Sequence, residues 1–147
     1  MRNDFFRPHY CVWLWALALV ALGGCGSSDP FDYVKVRGKV TYDDGSPIPA
    51  HIVRVTFVPQ APPTDIKTHP RPGVADVDVA TGTFDVVTSH QFGDGIVRGQ
   101  HKVMIVALDQ RQNATPEVPA IYGSVNTTPL VVDAEDSPFE LKVNRPR

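Results

Sequence analysis

The sequence has little of what a disulfide-rich, metal-binding or nucleic-acid-binding protein needs. Its 147 residues include only two cysteines, which cannot form a disulfide scaffold or a four-ligand zinc site by themselves. Its formal net charge of −2 at pH 7 argues against a nucleic-acid binder. Because 14 prolines and 11 glycines interrupt so short a chain, a helical bundle is not expected either. A single domain of ordinary size, rich in turns, fits this composition.

The main apolar run is too short to span a membrane. It covers 11 residues, 12–22, whereas a membrane-spanning helix needs about 20. Arg2 and Arg7 precede the run, and Gly23 and Gly24 follow it. Charged, apolar and small-residue regions in this order are typical of a secretory signal peptide, which we predict over residues 1–24.

The residues Leu22, Gly23, Gly24 and Cys25 resemble a bacterial lipobox. The resemblance implies cleavage before Cys25 and attachment of acyl chains, palmitate among them, to the mature amino terminus. Two or three such chains hold a protein stably at a membrane, where one chain is marginal. Residues 25–32 would then form a tether and residues 33–147 the domain. The alternative is a simple secreted protein in which Cys25 happens to lie near the cleavage site.

Cysteine and charge usage agree with export to the cell envelope. Cleavage would remove Cys11, and acylation of Cys25 would leave no free thiol, as expected in an oxidising compartment. Loss of residues 1–24 changes the net charge from −2 to −3, so nothing draws the domain to nucleic acid or to anionic lipid. Gly26, rather than Asp, follows the lipidated cysteine, which predicts an outer-membrane location.

Apolar and polar side chains alternate with period two through most of the domain, which predicts strands. The predicted strands are 34–42, 53–57, a hairpin of 75–79 with 84–86, a central strand over 102–108 covered on both faces, 130–132 and 139–143. No segment sustains a helical apolar pattern. About seven short strands separated by turns predict an all-β fold of the two-sheet sandwich type.

Two connections are longer than ordinary hairpin loops, namely Gln60–Gly73 and Asp109–Pro129. Tyr122 is the large aromatic residue of the second connection. Its ring is predicted to pin the loop onto the sandwich, and contact with a ligand is the alternative.

Several short patterns resemble the carboxypeptidase regulatory-like domains. Residues 36–49 read as their opening strand, acidic Gly turn and apolar-Pro pair, and residues 77–84 and 97–103 are similar to two later motifs. His101 stands where a Tyr is usual. The run Val118-Pro119-Ala120-Ile121-Tyr122-Gly123 is similar to a stretch of the small planctomycete lipoproteins of this type. The resemblance implies a transthyretin-like, or prealbumin-like, β-sandwich and no assigned activity.

Catalytic and metal-binding patterns are not found. His51, His69, His90 and His101 are spread over separate segments without metal-ligand spacing, and exposed or turn positions are predicted for them, with His101 just before the central strand. Acidic groups such as Asp76 with Asp78 do not follow a calcium-binding loop pattern, and no serine lies in a nucleophile elbow. We therefore expect no catalytic residue, no metal and no cofactor.

The predicted function is that of a membrane-anchored cell-envelope lipoprotein with a non-catalytic binding or structural module. Its partners would be the membrane, through the lipid anchor, and either an envelope protein or a polysaccharide. One alternative is a carbohydrate-binding module at the cell surface, which predicts a row of exposed aromatic rings. The other is a hydrolase near His101, which predicts that Asp94 and Arg98 converge with it in a pocket.

Overall fold

Residues with alternating apolar and polar side chains form strands throughout the domain. The computed structural model describes residues 29–63, 65 and 68–146, and Phe31–Arg147 is one compact unit. The strands are β1 (Tyr33–Val34), β2 (Gly38–Tyr42), β3 (Ile52–Pro59), β4 (Gly73–Val77), β5 (Thr83–Phe84), β6 (Ile96–Val97), β7 (Gln100–Leu108), β8 (Val131–Asp133) and β9 (Phe139–Val143). Two short 3-10 turns, Ala120–Gly123 and Ala134–Asp136, are the helical elements of these residues. The prediction of an all-β fold with little helix is confirmed.

The strands form three sheets. Their orders are β4-β3-β7-β8, β5-β2-β9 and β1-β6. All neighbours are antiparallel except β2 and β9, which are parallel. Buried side chains from all three sheets share one core. The predicted count of about seven lies between the nine strands of the described residues and the six that are longer than two residues.

Aromatic rings join the two larger sheets. Phe57 projects from β3 into the core, where it is fully buried. Its ring centroid lies 5.9 Å from that of Phe84 on β5 and 5.7 Å from that of Phe139 on β9. Centroid separations of this size with tilted planes are favourable for aromatic pairs. The ring of Phe57 therefore connects the four-stranded sheet to the three-stranded one.

The predicted strand over residues 34–42 is wrong in one respect, because the structure divides it into β1 and β2. Tyr33 and Val34 pair with β6, whereas Gly38 begins the pairing with β5 and β9. Residues 35–37 therefore carry the chain from one sheet to another. Gly38 is needed at the start of β2, since a Cβ there would lie 2.6 Å from the Phe139 carbonyl oxygen. The alternation of apolar and polar residues does not predict where a strand changes its partner.

The predicted hairpin is also corrected. The chain reverses between β4 and β5, but a single bridge, Asp78 to Thr83, joins the two arms. β4 then pairs with β3, and β5 pairs with β2 in the other sheet. Gly82 makes the reversal with a φ of 76°, and its carbonyl accepts a hydrogen bond from the Val40 N–H. The reversal of the chain lies where the hairpin was predicted, but its strands separate because each has a longer partner elsewhere.

The central strand β7 agrees with the prediction on its inner side. His101, Val103, Ile105 and Ala107 are fully buried, whereas the alternate residues 102, 104 and 106 are half-buried. The outer side is thus covered in part rather than completely.

The register defines two ends of the domain. At the proximal end, where the chain enters at Phe31, lie β1, β6 and the first residues of β2, β7 and β9. At the distal end lie the last residues of β2, β7 and β9. The strand β7 runs from the proximal to the distal end, and its nine residues span about 26 Å.

We expect a Phe57→Ala substitution to destabilise the domain by about 3–5 kcal/mol, because it leaves a cavity between the two larger sheets. The urea midpoint of unfolding measures this loss. Phe92→Ala is the matched control, since that ring is 89% exposed and its removal should cost less than about 0.5 kcal/mol. Equal losses in the two variants would contradict the assignment of Phe57 to the inter-sheet core.

Candidate functional site

The connection 109–129 completes the edge of β7. β8 pairs with Gln100–Lys102, and beyond these residues the connection lies against the strand. The Val103 N–H donates to the Leu130 carbonyl at 2.9 Å, and the Val103 carbonyl accepts from the Thr128 hydroxyl at 2.6 Å. Further along, the Ala107 carbonyl accepts from the Thr115 N–H at 2.9 Å. The connection is therefore attached to β7 on both sides of Ile105.

The backbone of Ile105 is not bonded to this connection. Antiparallel ladders alternate, so the N–H and C=O of Ile105 point to the same side as those of Val103 and Ala107, away from β3. No residue of the described connection 109–129 donates to or accepts from them. Ile105 is also fully buried. The ladder is thus interrupted between the carbonyls of Val103 and Ala107, where the N–H and C=O of Ile105 and the N–H of Ala107 have no partner in the described connection.

A groove lies at this interruption. Its volume is about 710 Å³, which lies within the usual size range of ligand sites. Aliphatic, proline and small residues make up most of its lining, which consists of Ile105, Val106, Ala114, Thr115, Pro116, Val118, Pro119, Ala120, Gly123 and Ser124. None of these side chains is titratable. The polar groups at the groove are the hydroxyls of Thr115 and Ser124 and the backbone.

Buried tyrosines hold the outer wall of the groove in place. Tyr122 is 4% exposed, and its hydroxyl oxygen accepts a hydrogen bond from the Asn144 N–H at 3.1 Å. The Tyr42 hydroxyl donates to the Glu117 carbonyl at 2.8 Å. Burial raises the pKa of Tyr42, against the opposing charge of Arg145, whose guanidinium carbon lies 4.5 Å from the ring centroid. The wall is therefore fixed to the ends of β2 and β9.

Two side-chain oxygens near the groove are buried without a hydrogen bond within the described residues. They are Oγ1 of Thr115, which lines the groove, and Oε2 of Glu117, two residues further on. A buried polar atom without a partner costs free energy.

The predicted site residues fall into two groups. Leu22, Gly23, Gly24 and Cys25 lie outside the described residues. Tyr122 is in the core, at the position that the anchoring interpretation requires, and its ring is not offered to a ligand at the surface.

His101 is placed differently from the prediction. It is the second residue of β7 rather than a residue before the strand, and because it points inward it is completely buried. Its Nε2 lies 2.6 Å from the Val97 carbonyl oxygen, and its ring meets that of Phe57 edge-on with centroids 6.4 Å apart. Burial lowers its pKa below 6.5, while the Val97 and Phe57 carbonyls and the charge of Asp133 oppose that shift. The Phe57 carbonyl does not complete a hydrogen bond to Nδ1.

The polar residues named with His101 do not converge on it. Asp94 accepts hydrogen bonds from the backbone N–H groups of Ser89, His90 and Gln91 at 2.7–2.9 Å. Arg98 forms ion pairs with Asp32 and Glu135 at the surface. The three side chains thus have three separate sets of partners, and the polar cluster that a hydrolase site near His101 requires is not assembled.

The remaining titratable residues are also dispersed. His51 and His69 are exposed as predicted, and His90 is partly buried in a turn. Asp76 pairs with Arg54, whereas Asp78 accepts from the Ala80 N–H in the turn after β4. No group of three or more potential ligands that could hold a metal ion occurs among the described residues. Within that same part of the chain, no helix has the length and apolarity to span a bilayer.

The burial of His101 predicts a pH-dependent stability. The His101 side chain binds a proton near pH 6.5 in the unfolded state but only at a lower pH in the folded state. The free energy of unfolding is therefore constant above about pH 6.5 and decreases as the pH falls from there towards the pKa of the folded state. We expect the urea midpoint to decrease between about pH 7 and pH 5, and His101→Phe to abolish this decrease. His51→Gln, at an exposed site, should retain it. An unchanged slope in His101→Phe would contradict this assignment.

The connection Asp109–Pro129 and its run Val118–Gly123 were singled out from the sequence, but a groove against β7 was not predicted. The prolines at 116 and 119 within an apolar segment are the signal that was present, because they prevent the connection from continuing the ladder. Comparison with known proteins does not add to this, since no family model, no curated protein and no solved structure matches the chain.

Proposed function

We propose that the chain is a cell-envelope lipoprotein, anchored by acyl chains on Cys25, whose domain binds a protein partner and does not catalyse a reaction. The finer fold that we propose is the transthyretin-like sandwich of carboxypeptidase regulatory-like domains. The observation that carries the binding role is the apolar groove between β7 and the connection 109–129. The anchor rests on the lipobox-like residues Leu22 to Cys25.

The chemistry of the groove favours binding over catalysis. Acid–base and nucleophilic catalysis need titratable or activated side chains within reach of the substrate. The lining has none. Apolar walls with a few polar groups are typical of recognition surfaces that bury apolar side chains.

The occupant that fits the groove is an extended, apolar segment of an envelope protein. An extended peptide presents its backbone N–H and C=O in the same alternation as a strand, and is therefore complementary to the interrupted ladder at Ile105. A polysaccharide is the alternative, but stacking on exposed aromatic rings is its usual requirement. Among the described residues, the exposed large aromatic is Phe92, which lies at the proximal end, away from the groove.

The anchor and the groove are compatible in space. The tether joins the domain at the proximal end, and Ile105 is five residues along β7 from Gln100, or about 16 Å towards the distal end. The groove and the tether therefore lie at different levels along β7, so an anchored domain can present the groove to an envelope protein.

We expect Cys25→Ala to abolish both the acyl mass at the mature amino terminus and the membrane association, because the thiol that carries the lipid is lost. Mass spectrometry of the amino-terminal peptide, with fractionation of inner and outer membranes, measures both. Cys11→Ala is the matched control and should retain the acyl mass and the outer-membrane location. A native product that begins upstream of Cys25, or that carries no acyl mass, would refute the anchor.

Photo-cross-linking from the groove tests the binding role. We expect a photoreactive side chain at Ala120, which lines the groove, to give one discrete protein adduct in native envelopes. The adjacent Ile121 is 49% exposed but does not line the groove, so the same group there should not give that adduct. Sequencing of the linked peptide should find an apolar, extended segment. Equal adducts at both positions would contradict the proposal, and a glycan adduct at Ala120 would favour the polysaccharide alternative.

A further inference from the structure

Phe92 is the most exposed large apolar side chain of the described residues. It is 89% exposed, and Val86 beside it is 48% exposed. Gly93, the next residue, would bring a Cβ to within 3.6 Å of Val86, so the two apolar side chains belong to neighbouring segments of one surface. No described residue covers the ring of Phe92, and its exposure to water is unfavourable.

The loop that carries Phe92 is held rigidly. Asp94 accepts hydrogen bonds from three backbone N–H groups of residues 89–91, and the Gly93 N–H donates to Oγ1 of Thr88 at 3.1 Å. The Ser89 hydroxyl donates to the Gly95 carbonyl at 2.7 Å. Burial would raise the pKa of Asp94, but the backbone hydrogen bonds outweigh it and lower the pKa. The exposed ring is therefore presented by a loop that is already ordered.

This loop adjoins the point where the chain enters the domain. Phe92 and Lys35 border the same surface depression, and Lys35 directly follows β1. At the other end of β1, the Asp32 carbonyl accepts from the Arg98 N–H at 2.9 Å. From Phe31 to Lys35 is four residues, or about 14 Å of extended chain. The ring of Phe92 thus lies at the proximal end, close to the tether.

The length of the tether limits how far this end can move from a lipid anchor. Six peptide units separate Cys25 from Phe31, and fully extended they reach about 20 Å. The diameter of a domain of this size exceeds the length of the extended tether, because its radius of gyration alone is about 13 Å. An anchored domain must therefore hold its proximal end near the headgroups, whatever its rotation.

We propose that Phe92 and Val86 form a second membrane contact, in which the loop 85–95 inserts its apolar side chains into the bilayer interface and orients the domain. This inference rests on the proposed anchor at Cys25, because the isolated pair is too small to bind a membrane by itself. The carboxylate of Asp94 is turned into the loop, so it does not oppose the insertion. Exposed Lys35 and Asp85 offset each other in charge at this surface. The contact is therefore apolar and does not require anionic lipid.

The substitution Phe92→Trp tests the contact directly. Both tryptophans of the chain, Trp13 and Trp15, lie in residues 1–24, so the processed protein would have none. The lipidated Phe92→Trp protein is reconstituted in phosphatidylcholine vesicles, with and without bromine on the acyl chains. We expect its emission to shift to the blue and to be quenched by the brominated lipid. Ile121→Trp, exposed on the distal side, should show neither change.

Two measurements on the same samples separate the possible failures. Flotation with the vesicles and acyl mass at Cys25 establish the anchor, and the urea midpoint establishes that each variant is folded. If the anchored Phe92→Trp protein floats but its emission is quenched no more than that of Ile121→Trp, the second contact is refuted and the anchor stands. If the protein has no acyl mass and does not float, the anchor is refuted and the second contact with it. Phe92→Ser should float as the wild type does, because the acyl chains supply the attachment and the loop only the orientation.

Discussion

The hydrogen-bonding requirement along the edge of β7 governs the outer half of the domain. β7 has nine residues, and the neighbouring strand β8 pairs with the first three of them. A buried strand edge must find donors and acceptors elsewhere, and the connection 109–129 provides one donor to the carbonyl of Val103 and another to that of Ala107. The long connection is thus a substitute for a strand. The buried Tyr122 fixes the connection to the core, which keeps its hydrogen-bonding groups in position beside β7.

The same requirement explains why a groove exists. A regular strand would have covered Ile105, but prolines stand at positions 116 and 119 of the segment that runs past it. Proline has no N–H to donate and resists pairing in a sheet. The connection therefore moves away from β7 between its two points of attachment, and apolar side chains line the space that remains. The groove is therefore a consequence of the two prolines in the connection 109–129.

The alternation of residues in β3 and β9 was sufficient to predict these strands and their buried faces, because one face of each meets the core. The continuous apolar run of β7 predicted that strand but not the partial exposure of its outer face. The partners of the strands were not predictable in the same way. Residues 34–42 form an unbroken pattern, yet the chain changes sheets at Lys35 to Arg37. The position of His101 was also not predictable from the sequence. A histidine is expected at the surface, and its burial is explained only by contacts with the Val97 carbonyl and the Phe57 ring, which the structure brings beside it. The groove depends on the spatial relation of two distant segments, which single-sequence patterns do not contain.

The parallel pairing of β2 with β9 has a consequence for how the domain folds. Gly38 pairs with Phe139, so the first long strand waits for a partner about 100 residues away. The three-stranded sheet cannot close until that late segment is available, and contacts of such high sequence separation slow folding. In the export that we propose for this chain, late closure of the sheet would keep it unfolded until nearly all of it has crossed the membrane.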